Sequence, residues 1–358
     1  MPTQYALETI ITAIAPRIDP ALISRDNLNT ILTIAHFLPL WRCTGFECRL
    51  GTPEPHADFG IHLTREDWIA SESVVVANAK AVNAASCDVW WRLHRLAEVW
   101  ADTKSLVSQA VPAMSLEFDV HRLPVPLAAP SIFFSIHPGP CGPETSASNK
   151  AVDTCSKVAR ELLEVLAVNV SDDVQNKLED CFKALLPKVP FLQFGIWLAR
   201  PADTLRICAP GIPLLEIKPA LNKLRWQGPT DAYETRWCDL LQFRDKGSLH
   251  LDVGKGVSAK LGIEVPFDDD SAYMNKNDPE STRFFDYLVE KNLCLPEKRD
   301  AVLSWVGGFR LSSNSPASST KVEPIFLRRV SHVKMVYEPD QAPMAKVYLS
   351  IGRVPDQI

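Results

Sequence analysis

The 358-residue sequence has no excess of positive charge, with 38 lysines and arginines against 43 aspartates and glutamates. It therefore lacks the global basic field that recruits nucleic acid or an anionic membrane surface. Its apolar runs are short and interrupted by charges, so no membrane-spanning helix is predicted. The first residues carry neither a basic leader nor a small-residue cleavage site, so no signal peptide is predicted.

Several motifs that define common enzyme classes are also missing. The nine cysteines are scattered without CxxC pairs, which favours buried thiols in a reducing compartment, and we expect a cytoplasmic protein. There is no GxGxxG that opens a helix after a strand, no GxSxG and no HExxH. The acidic run from Asp268 to Asp270 lacks DDxxD spacing. No cofactor and no protein-bound metal are firmly predicted, and magnesium stays an option.

What the sequence does contain is one pattern repeated five times: helical stretches, then two short alternating strands joined by a turn. Helical spacing of apolar residues predicts helices over 5–16, 26–38, 87–102, 153–167, 172–186, 217–226, 232–244, 281–292 and 296–305, the second capped by Asp26 or Asn27. Alternation predicts strands over 45–50, 57–63, 114–120, 131–137, 191–199, 204–209, 248–253, 257–265, 331–337 and 344–351.

Strands joined as hairpins are antiparallel, and an antiparallel sheet of ten strands with helices on one side can close and remove its edges. The fold class predicted is therefore α+β: a closed barrel of about ten antiparallel strands surrounded by helices. We expect one domain over residues 1–358, with a flexible serine-rich loop at 312–320.

Alternation also assigns side chains to the two faces of each strand. The face predicted to pack under the helices carries Phe46, Phe59, Phe118, Leu192, Leu251, Leu261, Val333 and Leu349. The face predicted to line the lumen carries Glu47, Arg49, Asp58, His62, Glu117, Asp119, Phe133, Ser135, Gln193, Trp197, Arg206, Cys208, His250, Asp252, Lys260, Glu264, Lys334, Lys346 and Tyr348. Buried charges are costly unless they are paired or used, so internal salt bridges are the alternative explanation for each charged member.

Basic residues on several strands of this lumen face suggest a polyanion site. We predict that the members of this group bind a diphosphate: Arg49, Arg206, Lys260, Lys334, Lys346 and Tyr348. Phe133, Trp197 and His250 are the candidates for aromatic surfaces that contact the substrate and stabilise a cation.

Carboxylates on the same face are the candidates for proton transfer. Glu117 and Asp119 stand two positions apart on one strand, which separates them by about 7 Å at a rise of ~3.4 Å per residue. We predict that Glu117, with the longer side chain, orients or deprotonates the acceptor. Asp119 is then expected to have a structural role as the partner of a basic residue such as Arg49. Glu264 is the further catalytic candidate. Basic residues that hold a diphosphate leaving group, aromatic rings that stabilise a carbocation and a carboxylate that accepts the last proton are suited to alkyl transfer.

In this arrangement the chain resembles the ABBA-type prenyltransferases, a family with a ten-strand antiparallel barrel. The resemblance covers nearly the whole chain in topology, and its most specific local feature is Ala345-Lys-Val-Tyr-Leu349, similar to the Lys-x-Tyr pattern that the family uses around diphosphate. It implies transfer of a dimethylallyl or geranyl group from its diphosphate to an electron-rich aromatic acceptor: an indole, a phenol or a peptide side chain.

Two other functions fit the same lumen. One is an enzyme that uses the carboxylates for proton transfer on a non-prenyl substrate, and the other is a ligand-binding barrel without catalysis. Release of diphosphate from an allylic diphosphate in the presence of an acceptor separates prenyl transfer from both.

Overall fold

The computed structural model describes residues 6–38, 43–69, 84–120, 129–139, 145–198, 203–267, 278–311 and 325–353. The serine-rich stretch 312–320 and the acidic run 268–270 lie outside the described residues. Among the described residues, no helix has the length and hydrophobicity that crossing a bilayer requires.

The helices flank the strand pairs in the predicted order. They are α1 (Leu7–Ile14), α2 (Arg25–His36), α3 (Ala84–Ala101), α4 (Leu106–Ala110), α5 (Thr145–Val165), α6 (Asp172–Leu185), α7 (Ile217–Lys223), α8 (Thr230–Cys238), α9 (Pro279–Glu290) and α10 (Pro296–Trp305), with residues 65–69 also helical. The predicted cap of α2 is wrong by a few residues: the Ser24 hydroxyl, on extended backbone, accepts from the Asn27 N–H. The Asn27 side chain instead accepts from the N–H of Ala57.

The strands form one antiparallel sheet. They are β1 (Cys43–Arg49), β2 (Ala57–Thr64), β3 (Ala113–Phe118), β4 (Ser131–Ile136), β5 (Leu192–Ile196), β6 (Leu205–Pro213), β7 (Lys246–Val253), β8 (Val257–Pro266), β9 (Gly307–Arg310), β10 (Ile325–Tyr337) and β11 (Met344–Arg353). Ten of them, all except β9, close into a ring because β10 pairs with β8 and β11 while β11 also pairs with β1. The predicted closed barrel is confirmed.

Two details differ from the prediction. The short strand β9 pairs with the first residues of β10, and β10 begins at Ile325 rather than at 331. An irregularity between Val330 and His332 shifts the register of β10 against β11, so the alternation on its two sides is out of phase. A period of two therefore identifies only the part of β10 that follows the irregularity.

The hydrophobic core lies between the barrel wall and the helices. All eight residues predicted to face the helices are at most 2 % exposed. Trp305 of α10 packs edge-on against Phe46 of β1, with ring centroids 6.1 Å apart. With the apolar face used in this way, the polar face of each strand is left to the inside of the ring.

Candidate active site in the barrel lumen

Cross-strand register places the polar side chains on one common face. Glu47 lies opposite Asp58 on one side and Tyr348 on the other. Cys208 lies opposite His250, and Lys334 lies opposite Glu264. Because directly opposed residues of an antiparallel pair share a face, these residues all line the interior of the closed ring.

Glu47 is the centre of a first polar cluster. Its carboxylate accepts hydrogen bonds from the Lys346 ammonium and from the Tyr348 hydroxyl. Burial raises the pKa of Glu47, but the Lys346 charge and these hydrogen bonds outweigh burial and lower the pKa to about 2. Burial and the charge of Glu47 hold the pKa of Tyr348 well above its usual range, so Tyr348 is a hydroxyl donor.

Glu264 is the centre of a second cluster, in which three nitrogens surround one carboxylate oxygen. Its Oε1 lies 2.8 Å from His250 Nε2, 3.4 Å from His332 Nε2 and 3.5 Å from Lys334 Nζ. Burial raises the pKa of Glu264, and the surrounding nitrogens bring it well below its usual range. The His332 ring stacks on Tyr348 with centroids 4.0 Å apart, which connects the second cluster to the first.

A third group combines an ion pair with aromatic rings. Arg206 donates to both oxygens of Asp252, at 2.8 and 3.0 Å, and its guanidinium carbon lies 4.5 Å from the Trp197 ring centroid. Trp197 meets Phe133 edge-on at 5.5 Å. The Phe133 ring lies across Gly195, where an added Cβ would come within 2.6 Å of it. The missing side chain at Gly195 therefore makes room for this aromatic wall.

Glu117 differs from the other lumen acids because it has no hydrogen bond or ion pair within the described part of the chain. Burial, followed by the charge of Glu47, raises its pKa to about 7, although Lys334 and Arg206 act in the opposite direction. A carboxyl group that titrates near neutral pH and has no partner is suited to exchange a proton with a ligand.

The six residues predicted to bind diphosphate do not form a single cluster. Register puts Arg49, Lys346 and Lys334 directly beside one another on β1, β11 and β10. Tyr348 stands two residues from Lys346 on the same face, whereas Arg206 is held by Asp252 on β7. Lys260 is separate: it forms an ion pair with Glu338, which follows the end of β10, at 3.1 Å, and is 39 % exposed.

Four of the five remaining predicted site residues are found on the same wall. Phe133, Trp197, His250 and Glu264 take part in the contacts given above, and Trp197 follows the last residue of β5. Asp119 lies one residue beyond the end of β3. The internal salt bridges weighed as an alternative are present for Lys346, Arg206 and Lys334, each of which already contacts a lumen acid.

Two contributors to the site were not predicted. His332 precedes Lys334 by two positions, so a period of two was sufficient to place it on the lumen face. Gly262 faces His250 across the β7–β8 pair, and an added Cβ there would lie 2.8 Å from Lys334 Cε. No sequence signal indicates which neighbouring side chain fills the space above a glycine.

Comparisons with known proteins agree with this architecture. The crystal structure of the prenyltransferase PriB in its apo form is similar with 13 % identity, a TM-score of 0.51 and coverage of 96 % of this chain and 94 % of that chain. Its ternary complex with L-tryptophan and dimethylallyl thiolodiphosphate has 12 % identity and a TM-score of 0.51, with coverage of 97 % of this chain and 94 % of that chain. The 5-dimethylallyltryptophan synthase from Streptomyces coelicolor has 11 % identity and a TM-score of 0.50, with coverage of 96 % of this chain and 95 % of that chain.

No protein-family model matches the chain, and no curated protein matches it. At 11–13 % identity, likeness to solved structures defines the fold alone. The closed ring of ten antiparallel strands, its helices and the coverage of nearly the whole of both chains lead to one conclusion: this chain has the fold of the ABBA prenyltransferase barrel.

Proposed function

We propose that this protein transfers an allylic group, dimethylallyl or geranyl, from its diphosphate to an electron-rich aromatic acceptor. The observation that carries the proposal is the closed ten-strand barrel, which PriB shares over 96 % of this chain. PriB has been crystallised with L-tryptophan and dimethylallyl thiolodiphosphate, which supports the choice of an aromatic acceptor and an allylic diphosphate donor.

The cations on β1, β11 and β10 form the proposed diphosphate site. Like charges directly opposite one another in a sheet are unfavourable, so Arg49, Lys346 and Lys334 need anions nearby. Glu47 and Glu264 supply negative charge to the two lysines, while the Arg49 guanidinium makes no ion pair with another described residue. A diphosphate adds the negative charge that this row lacks. Tyr348 has one hydroxyl proton, so it donates to the diphosphate only when it turns away from Glu47.

The reaction then balances as an electrophilic aromatic substitution. The allylic C–O bond breaks and its electron pair leaves with the diphosphate, which the cations stabilise. A ring carbon of the acceptor forms the new C–C bond, and the proton lost from that carbon passes to the Glu117 carboxylate. Since Arg206 already covers one face of Trp197 and the His332 ring stacks on Tyr348, we assign the shielding of the allylic cation mainly to Phe133.

The test is turnover with dimethylallyl or geranyl diphosphate and a panel of acceptors: L-tryptophan, indole, simple phenols and a tyrosine-containing peptide. Diphosphate release is measured together with product mass, and each product should gain the mass of the allylic group minus one proton. Saturable binding of both substrates without product would identify a ligand-binding barrel. Acceptor chemistry that proceeds without an allylic diphosphate, with a pH profile set by carboxylates, would identify a proton-transfer enzyme.

A further inference from the structure

Lys334 reaches across a neighbouring strand instead of staying above its own. Its backbone on β10 lies opposite Glu264 of β8, yet its Nζ lies 2.9 Å from Nδ1 of His250 on β7, the strand on the far side of β8. Gly262 of β8 is the residue that the side chain crosses. An added Cβ there would be 2.8 Å from Lys334 Cε and 3.3 Å from His250 Cβ. The crossing therefore depends on glycine at this position.

The hydrogen bonds around His250 define its tautomer. An ammonium only donates, so Nδ1 accepts from Lys334 and the ring proton resides on Nε2, which faces Glu264 Oε1 at 2.8 Å. Burial lowers the pKa of His250 to about 4, and the ring is neutral at neutral pH with the Nδ1 lone pair available. Cys208 Sγ also lies 3.0 Å from the same Nδ1.

One N–H of Lys334 remains for a ligand. The ammonium has three donors, and His250 accepts one of them. Glu264, 3.5 Å away, is an ion-pair partner, so a donor is left for a ligand even when Glu264 accepts a second one. A side chain that is already directed loses less rotational freedom when it binds an anion.

We propose that His250 and Gly262 are positioning residues of the donor site: together they fix the Lys334 ammonium where it meets a diphosphate oxygen. The proposal rests on the proposed function, since it names the part of the chain that prepares one cation of that site. His250 acts as acceptor, and Gly262 keeps the path over β8 open. Neither residue contacts the donor in this scheme, so both act through Lys334.

Two substitutions of His250 distinguish the role of its Nδ1 from the role of its Nε2. Asparagine places a side-chain oxygen near the Nδ1 position and can accept from Lys334, whereas glutamine reaches towards the Nε2 position and Glu264. In calorimetric titrations with inorganic diphosphate, we expect His250→Gln to weaken binding roughly tenfold and His250→Asn to stay within about threefold of wild type. With the allylic donor as substrate, His250→Gln should raise KM and leave kcat nearly unchanged.

Gly262→Ala tests the path over β8 and has a matched control. It should also weaken diphosphate binding roughly tenfold, because the new methyl group displaces the lysine stem. Gly60 faces the lumen on β2, and an added Cβ there would meet nothing closer than 3.8 Å, so Gly60→Ala should bind as wild type. Thermal melts establish that each variant is folded, and the two His250 variants carry the test on their own if Gly262→Ala does not fold.

A double-mutant cycle distinguishes positioning from a general structural effect. In the Lys334→Met background, His250→Gln and Gly262→Ala should cause no further loss of diphosphate affinity, because the group they position is gone. Losses that add to that of Lys334→Met overturn the proposal, as does a His250→Gln variant that binds like wild type. A wild-type protein that binds no diphosphate instead refutes the donor site itself, and the proposal with it.

Discussion

Two buried lysines on opposite sides of the barrel wall behave differently because their acceptors differ. Lys298 of α10 is 1 % exposed, and its ammonium donates to the carbonyl oxygens of Arg49 and Glu54 at 2.8 and 3.0 Å. Lys334 is 6 % exposed and contacts an imidazole and a carboxylate inside the lumen. Lysine is almost never this buried without partners. Backbone acceptors tie the first lysine to the fold, and side-chain acceptors on the lumen wall leave the second one available to a ligand.

The two lysines are nevertheless connected through the turn that joins β1 and β2. Lys298 holds the carbonyl of Arg49, whose side chain belongs to the proposed cation row. Two further backbone hydrogen bonds hold this turn, from Leu295 N–H to Leu50 and from Ser24 N–H to Pro55. Lys298 thus supports the end of β1, the strand that carries Arg49.

The largest effect is expected from Lys334→Met. The substitution keeps the volume of the stem and removes the ammonium, and we expect kcat/KM for the allylic donor to fall about a hundredfold, since contacts to an ionised partner are strong. Lys157→Met, at an exposed helix position, is the matched control and should leave kcat/KM unaltered. Equal activity of the two variants would contradict the assignment of Lys334.

Lys298→Met should affect stability rather than binding. Without the ammonium, two backbone carbonyls at the β1–β2 turn lose their donor, and we expect the free energy of unfolding to fall by about 2 kcal/mol. Urea denaturation measures the change, and diphosphate affinity of the folded variant should stay within about threefold of wild type. A variant of full stability would show that the turn does not depend on this contact.

Glu117→Gln tests the lumen acid that lacks a partner. Because folding raises the pKa of Glu117 from 4.5 to about 7, the folded state keeps a proton that the unfolded state loses in this window. This contribution to stability is present below pH 4.5 and is lost as the pH rises to about 7. The stability difference between wild type and the variant should therefore change across this range.

The same variant should also change the rate of product formation. As the proton acceptor of the aromatic ring, Glu117 should produce an acidic limb near pH 7 in the kcat profile, and Glu117→Gln should remove this limb and lower kcat about tenfold. Identical profiles for variant and wild type would move the search for the base to Glu264, Asp252 or Glu47.

The smallest effect is expected from Lys260→Ala. Its ion pair with Glu338 is more than a third exposed on both sides, and such pairs contribute at most about 1 kcal/mol. We expect less than a threefold change in donor KM, which separates Lys260 from Lys334 although both were predicted from the same pattern. A loss as large as that of Lys334→Met would return Lys260 to the diphosphate site.

The sequence was sufficient for the barrel and, apart from β9 and the first residues of β10, for the faces of the strands, because a period of two requires only local alternation. Phe46 and Glu47 illustrate this: one is buried under α10, and the other lies in the lumen. Partners across strands depend on register and on reach, which alternation does not contain. Lys334 shows the limit, since its contact with His250 requires that β7, β8 and β10 be neighbours and that residue 262 be glycine.

In the proposed site, Lys334 in the lumen binds the donor and Lys298 outside the barrel does not. The most direct measurement is a calorimetric titration of dimethylallyl thiolodiphosphate into wild type, Lys298→Met and Lys334→Met at a temperature where all three are folded. We expect similar affinities for wild type and Lys298→Met and a loss of more than about tenfold for Lys334→Met. Equal binding by all three proteins, or no binding by wild type, would contradict it.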